Sequence, residues 1–322
     1  MAVIAEDGPD QGVAWHYGNP MREQREIDAG RGLVDLSHRG VVTVSGPDRL
    51  ELLHSLTSQH FTALAPGQGT TALVLSGQQG HIQYVLHGVD DGETFWAHTE
   101  PGMAQPLAAW LDSMRFMLRV EVADRSDEFA VLWEAGAAPE PAAGQLIRSY
   151  DDSLGGHDRF VPRDQVSALL AAADALAGTW AYEARRIAAG VPRIGLDTDQ
   201  RAIPNEIGVL GTAVHMNKGC YPGQETVGRV QALGRPPRRL VRLQLDGTAD
   251  ALPEVGAPVL LGEKQIGRMG SSARHFEQGP IGLALIKRNV AVDADFIVDG
   301  IAAAQEVLVD PEIGDHFRPQ LA

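Results

Sequence analysis

The chain has 322 residues, 44% of them apolar, with one cysteine and a formal net charge of −15 from 27 Lys and Arg against 42 Asp and Glu. That field repels phosphate backbones and argues against nucleic acid as a partner, while one cysteine excludes an internal disulfide and paired-cysteine zinc motifs. No apolar run approaches the ~18–20 residues of a membrane span, and the opening MAVIAEDGPDQG lacks a basic-then-apolar leader, so a soluble cytoplasmic protein with no membrane partner is expected.

NPMREQREIDAGRG predicts a short helix carrying Met21, Ile27 and Ala29, stopped at Gly30. VVTVSG (Val41 to Gly46) reads as a strand, and Asp48 is a candidate cap for a helix bearing Leu50, Leu53 and Leu56. Strands at 71–76, 81–88 and 93–99 follow, separated by turns at GQQG and DDG. MAQPLAAWLDSMR is expected to be helical, with Pro106 in its first turn. FMLRVEVAD and FAVLWEAG read as strands, and AGAAPEPAAG (Ala135 to Gly144) as a linker. RDQVSALLAAADALAG predicts one long helix ended by Gly178, and TWAYEARRIAAGVPRIG a second, with Trp180, Ala184 and Ile187 on one face. After the hinge LGRPPRRL, the alternation of VRLQLDG opens a glycine-punctuated run of short strands, expected to form a small antiparallel barrel. The order is α+β first and all-β last.

Metal, phosphate and nucleophilic-serine signatures (HExxH, GxGxxG, Walker and GxSxG patterns) are missing from the sequence. His81, Gln83, Val85 and His87 share a strand face; a half-exposed face is a simpler reading of the two histidines than metal ligation. The single cysteine lies in HMNKGCYPGQETVGRV, His215 to Val230. A thiol with a pKa near 8.5 is a few per cent thiolate at neutral pH unless neighbours such as Lys218 or His215 lower it. Cys220 is therefore either a reactive thiol or a small buried hydrophobe. The company of Lys218, Gln224, Glu225 and Arg229 calls for partners or a polar cavity, because burying unpaired charges is costly. Arg235, Arg238 and Arg239 form the one basic patch, suited either to an anionic tail or to a solvated hinge.

NKGCYPGQETVGRV resembles the K-G-C-Y-x-G-Q-E signature of YgfZ-type folate-binding proteins, relatives of the glycine-cleavage T-protein (aminomethyltransferase) linked to iron–sulfur cluster maintenance. GNPMREQREIDAGRGLVDLSHRG, with its DLSH step at Asp35 to His38, and ARRIAAGVPRIGLDTDQRAIPNEIG are similar to two further blocks of that superfamily. The resemblance implies a three-lobed ring of T-protein type. Residues 1–48 with 145–234 would form a ferredoxin-like lobe, 49–144 a second α+β lobe, and 235–322 a C-terminal β-barrel. It implies tetrahydrofolate, or a related reduced folate, in a central channel with Cys220 at its wall as a reactive thiol. Lys218, Tyr221, Gln224, Glu225, Arg229, Gln83, Tyr84 and Arg186 would be the cofactor-binding residues. No permanently bound metal is implied, and the partners would be reduced folate and iron–sulfur enzymes or cluster-assembly proteins.

Two departures matter. T-protein relatives carry a carboxylate where this chain has Gln83, and an amide cannot take up and return a proton. That argues against aminomethyl transfer. The LRIEAG-like block has Ala188 in place of a ligand-reading glutamate, which weakens the expectation of folate affinity. The alternatives are thus an accessory protein with a working thiol, a folate-dependent aminomethyl- or methyltransferase, and a non-catalytic module that has lost folate binding.

Overall fold

Asn19 begins the first helix by accepting the Arg22 N–H with its side chain, and Pro20 occupies the first turn, where its missing N–H costs nothing. Local chemistry of this kind sets most element boundaries in the computed structural model, which describes residues 1–139, 146–149 and 153–315. The expected linker residues 140–144 lie outside the described residues. The helices are α1 (Pro20–Asp28), α2 (Arg49–Leu56), α3 (Ala104–Ser113), α4 (Val166–Ala172), α5 (Thr179–Ala188) and α6 (Gln224–Leu233). The described residues fall into two units, Met1–Val74 with Tyr84–Arg185, and Leu75–Gln83 with the chain from Arg186 onward.

The first unit contains a short hairpin, β1 (Val3–Ile4) with β2 (Ala14–His16), and ten further strands: β3 (Leu33–Asp35), β4 (Gly40–Ser45), β5 (Gly69–Leu75), β6 (Ile82–Asp90), β7 (Thr94–Thr99), β8 (Glu121–Asp124), β9 (Phe129–Glu134), β10 (Leu146–Ser149), β11 (His157–Pro162) and β12 (Leu176–Ala177). They form two five-stranded sheets, ordered β10-β11-β9-β3-β12 and β5-β6-β7-β4-β8. Leu52, Leu53 and Leu56 of α2 and Leu107 and Leu111 of α3 bury against Val42, Val44, Val74, Leu86 and Phe95 of the second sheet. Each such side chain contributes roughly 1.5–3 kcal/mol. α3 reaches the sheet closely because Gly40 has no side chain: a Cβ there would sit 2.5 Å from that of Ala104.

A polar cluster is buried in the same unit. Asp158 on β11 accepts from Arg148 on β10 (3.1 Å) and lies 2.9 Å from His98 Nε2 on β7. Arg148 also donates to the Thr71 hydroxyl (2.7 Å) and the Thr70 carbonyl on β5 (3.1 Å). The His98 ring stacks on His87, with centroids 4.9 Å apart. Burial raises the Asp158 carboxyl, but His98 and the Arg148 and Arg39 guanidiniums outweigh it and bring its pKa to about 2. Burial, then the neighbouring cations, holds His87 well below the usual imidazole value, and burial also lowers His98. The two sheets are thereby joined by an ionised carboxylate and two imidazoles held neutral.

The second unit ends in a closed barrel, β13 (Arg238–Leu245), β16 (Gly279–Lys287), β15 (Lys264–His275), β14 (Pro258–Leu261), β17 (Asp295–Val298) and β18 (Ile301–Val307), in that order around it. Closure leaves no strand edge unpaired. The alternation foreseen in VRLQLDG holds: Val241, Leu243 and Leu245 are buried inside and Gln244 is exposed. The fold class is α+β with a C-terminal antiparallel barrel.

Three local expectations need correction. Asp48 precedes α2 but does not cap it; its carboxylate instead takes two N–H groups of the Arg119 guanidinium (2.8 and 2.9 Å) and the Arg119 backbone N–H. The helix expected over 163–178 stops at Ala172, because Leu176 and Ala177 pair in parallel with Leu33 and Val34 as an edge strand. Only Glu121–Asp124 of FMLRVEVAD is a strand.

Candidate functional site

The cysteine segment is described wholly within the second unit, together with the hairpin tip 75–83. Gly223 starts α6 with a φ of +83°, a conformation that L side chains rarely adopt. A Cβ on it would lie 2.9 Å from both the Gly80 Cα and the Leu75 Cβ, so the hairpin lies directly on the segment's backbone. Gly223 N–H donates to the Gly77 carbonyl (2.9 Å), and the Thr226 hydroxyl donates to the Gln78 carbonyl (2.8 Å). Ile82 N–H reaches the Ala202 carbonyl (2.9 Å). Three hydrogen bonds thus fix the hairpin that carries Gln83, which is exposed.

The support continues underneath. Asn205 donates to the Val227 carbonyl on α6 (3.2 Å). Its neighbour Glu206, fully buried, accepts two N–H groups of Arg238 at 2.8 Å each. Arg238 also pairs with Asp199 (2.6 Å), so one strand residue of the barrel anchors the loop beneath α6. Burial disfavours the charged guanidinium, but Glu206 and Asp199 outweigh it and raise its pKa.

Cys220 is exposed and its thiol is free. Lys218 is buried, with Nζ 5.0 Å from the centre of the Tyr221 ring, a cation–π contact. Burial draws the Lys218 pKa down to about 8 and pushes the Tyr221 hydroxyl up to about 12. An ammonium of lowered pKa, an aromatic face and an accessible thiol therefore occupy four consecutive residues. Gln224 is half-buried, while Glu225 in the first turn of α6 and Arg229 are exposed. The negative Glu225 suits the helix N-terminus.

The remaining candidates are placed differently. Tyr84 belongs to the first unit, partly buried against the core of its second sheet. Arg186 is buried, its guanidinium donating to Asp197 (2.7 Å), the Ser271 hydroxyl (2.6 Å) and the Val191 carbonyl (2.7 Å). These contacts tie the end of α5 to the barrel. Ala188 is half-buried, and its carbonyl accepts from Arg242. The expected basic patch dissolves, because neighbours on a strand face opposite ways. Arg239 is fully buried, donating to Gln305 (2.7 Å) and Val290 (3.1 Å), Arg238 is engaged as above, and Arg235 alone is exposed. Among the described residues no group of three or more His, Cys, Asp or Glu could hold a metal ion, and no helix is long and apolar enough to cross a membrane. The Gly80–Gly223 apposition and the Arg238 anchor were missed in the sequence; the paired glycines of GQQG and GCYPG were the available signal for the first.

Comparison with known proteins fits this architecture. Residues 13–154 match the family model of the GCVT N-terminal domain, and residues 238–312 match that of the CAF17 C-terminal beta-barrel domain. The two matches cover separate stretches of the chain, the first similar to GCVT N-terminal domains and the second to CAF17-type C-terminal barrels. The chain is 25% identical to an aminomethyltransferase of Symbiobacterium thermophilum, over 92% of this chain and 89% of the relative. It is 27% identical to one of a Synechococcus strain, over 92% and 90%. Its fold is similar to that of the glycine cleavage system aminomethyltransferase T from Bartonella henselae, with a TM-score of 0.81, 19% identity, and coverage of 97% and 95%.

Proposed function

We propose that this chain is a tetrahydrofolate-binding accessory protein that supports assembly or repair of iron–sulfur enzymes, with the Cys220 thiol as its working group. The division into lobes at residues 48, 144 and 234 and a cytoplasmic location belong to the same reading. The observation that carries it is an exposed thiol two residues from a buried lysine of lowered pKa, on a segment that clamps the hairpin bearing Gln83. The donor set fits a flat, anionic, hydrogen-bonding ligand: Lys218 offers positive charge, Tyr221 a ring face, and Gln83 an amide that both donates and accepts. Arg186 contributes to the scaffold, and Ala188 offers no carboxylate. Reduced folate, when bound, supplies a carrier for one-carbon units. Gln83 cannot act as the proton acceptor for transfer of such a unit, which favours an accessory role over turnover.

The test pairs calorimetry with a cellular readout. Reduced folate should bind the purified protein with a Kd below ~1 mM, a limit near −4 kcal/mol. Cys220→Ala should keep that binding and the fold, changing stability by less than about 0.5 kcal/mol, yet abolish support of an iron–sulfur enzyme in cells. Full support by the variant removes the thiol from the reading. A second reading, folate-dependent aminomethyl transfer, is favoured by the names of the relatives; turnover in a glycine-cleavage assay, lost in Gln83→Ala, would establish it.

A further inference from the structure

Two features of the first unit have complementary shape and charge. The turn after α3 reads Arg115-Phe116-Met117-Leu118-Arg119. Phe116 and Met117 are 83% and 95% exposed, side by side, on a chain that buries most of its large apolar residues. The turn is rigid. Met114 and Leu118 pack against the core of the second sheet, and Leu118 N–H bonds the Arg115 carbonyl (2.9 Å). Arg115 donates to the Val120 carbonyl (3.1 Å) and pairs with Asp112 (3.1 Å), while Arg119 grips Asp48 with two N–H groups. Phe116 is held at a φ of +47°, a left-handed conformation costing a bulky residue of order 1–3 kcal/mol. The fold thus holds a strained, preformed apolar knob out in water between two arginines, each with N–H groups beyond these contacts.

The N-terminal hairpin forms the counterpart. It encloses a cup of about 520 Å³ whose apolar wall is Val3, Ile4, Pro9 and Trp15 and whose acidic rim includes Glu6 and Asp7. Val3, Ile4 and Trp15 are 42%, 47% and 43% exposed. Trp15 is fixed by stacking on Trp180, with centroids 4.7 Å apart. Glu6 and Asp7 are exposed and take part in no ion pair among the described residues.

We propose that the chain self-associates by inserting the Phe116–Met117 knob of one copy into the N-terminal cup of another, with Arg115 and Arg119 meeting Glu6 and Asp7. The pairing matches convex with concave and sets the guanidinium N–H groups left over by Asp112 and Asp48 against the carboxylates of Glu6 and Asp7, and both halves are preordered, which lowers the entropic cost of docking. Two such contacts related by a twofold axis give a closed dimer, while a single unclosed contact gives short chains. Each contact is small against a standard interface, so association is weak and concentration-dependent. The net charge of −15 opposes adsorption to an anionic lipid surface, which favours a protein surface as occupant. This inference is independent of the folate reading.

Sedimentation velocity on the full chain from about 1 µM to about 1 mM spans the range in which a weak contact titrates. The wild type should show a rising average mass. Phe116→Asp should weaken association at least about tenfold, as loss of a central aromatic anchor does, with far-UV dichroism and Tm kept. The double charge reversal Glu6→Lys with Asp7→Lys should weaken it equally, and mixing that variant with Arg115→Glu, Arg119→Glu should restore it. A wild type monomeric at the highest concentration, or association unaffected by Phe116→Asp, overturns the proposal. So does Phe116-dependent binding of a monomeric chain to phosphatidylglycerol vesicles, which would assign the knob to lipid.

Discussion

Asp158 in the first unit and Lys218 in the second are both buried charges, and their surroundings act on them oppositely. Around Asp158, two guanidiniums and a histidine overcome the penalty of burial and hold the carboxylate ionised far from neutrality. Around Lys218, burial prevails and brings the amine to about 8. The first arrangement resists change across the physiological range and serves the architecture. The second leaves a proton exchangeable just above neutral pH, two residues along the chain from an accessible thiol. Titratability at working pH separates the two more sharply than burial does.

The strongest way to break this contrast is Asp158→Ala. It leaves Arg148 in the sheet interior without its carboxylate, and loss of one partner of a buried pair costs about 3–5 kcal/mol. Urea unfolding should show that loss; a change under about 1 kcal/mol would mean that the cluster does not hold the sheets together. The next effect is on pH dependence. His87 and His98 sit below the usual 6.5, so the unfolded chain binds more protons than the folded one, and stability falls as pH drops below about 6.5 toward their folded values. Each pH unit in that window removes up to about 1.4 kcal/mol per histidine, and Asp158 adds to the loss only between 3.8 and about 2. Thermal melts at pH 7.5 and 5.5 measure this, and His98→Gln should flatten the slope. The smallest of the three is Gly223→Ala, expected to cost about 1–3 kcal/mol for the left-handed backbone. Its diagnostic is amide exchange, which should accelerate at Gly80 and Ile82 while the barrel strands stay protected.

The sequence already showed much of the fold. Glycine turns at GQQG and DDG put β5, β6 and β7 within a few residues of their places, and the alternation in VRLQLDG foretold β13 and its inward face. What failed depended on long-range competition. Nothing local in RDQVSALLAAADALAG says that Leu176 and Ala177 will be taken by Leu33 and Val34 into a sheet. α6 was legible: Gly223 stands before it, Glu225 in its first turn and Gly234 after it. Closeness in sequence does not make a basic patch here, because Arg238 and Arg239 are neighbours on β13 and face opposite ways. At the site, the polar character of the cysteine segment could be read from its residue types, whereas the exposure of Cys220 and the internal use of Arg186 depend on partners far along the chain.

The Gly80–Gly223 apposition also has a temporal side. The hairpin tip leaves the ribosome about 140 residues before the helix that receives it. At elongation rates of 5–20 residues per second, that interval is roughly 7–30 s. For that time Gln83 and its turn wait undocked, so the segment that completes the candidate site is also the one that ends the wait, and nascent-chain truncations before Gly223 should leave the hairpin open to protease.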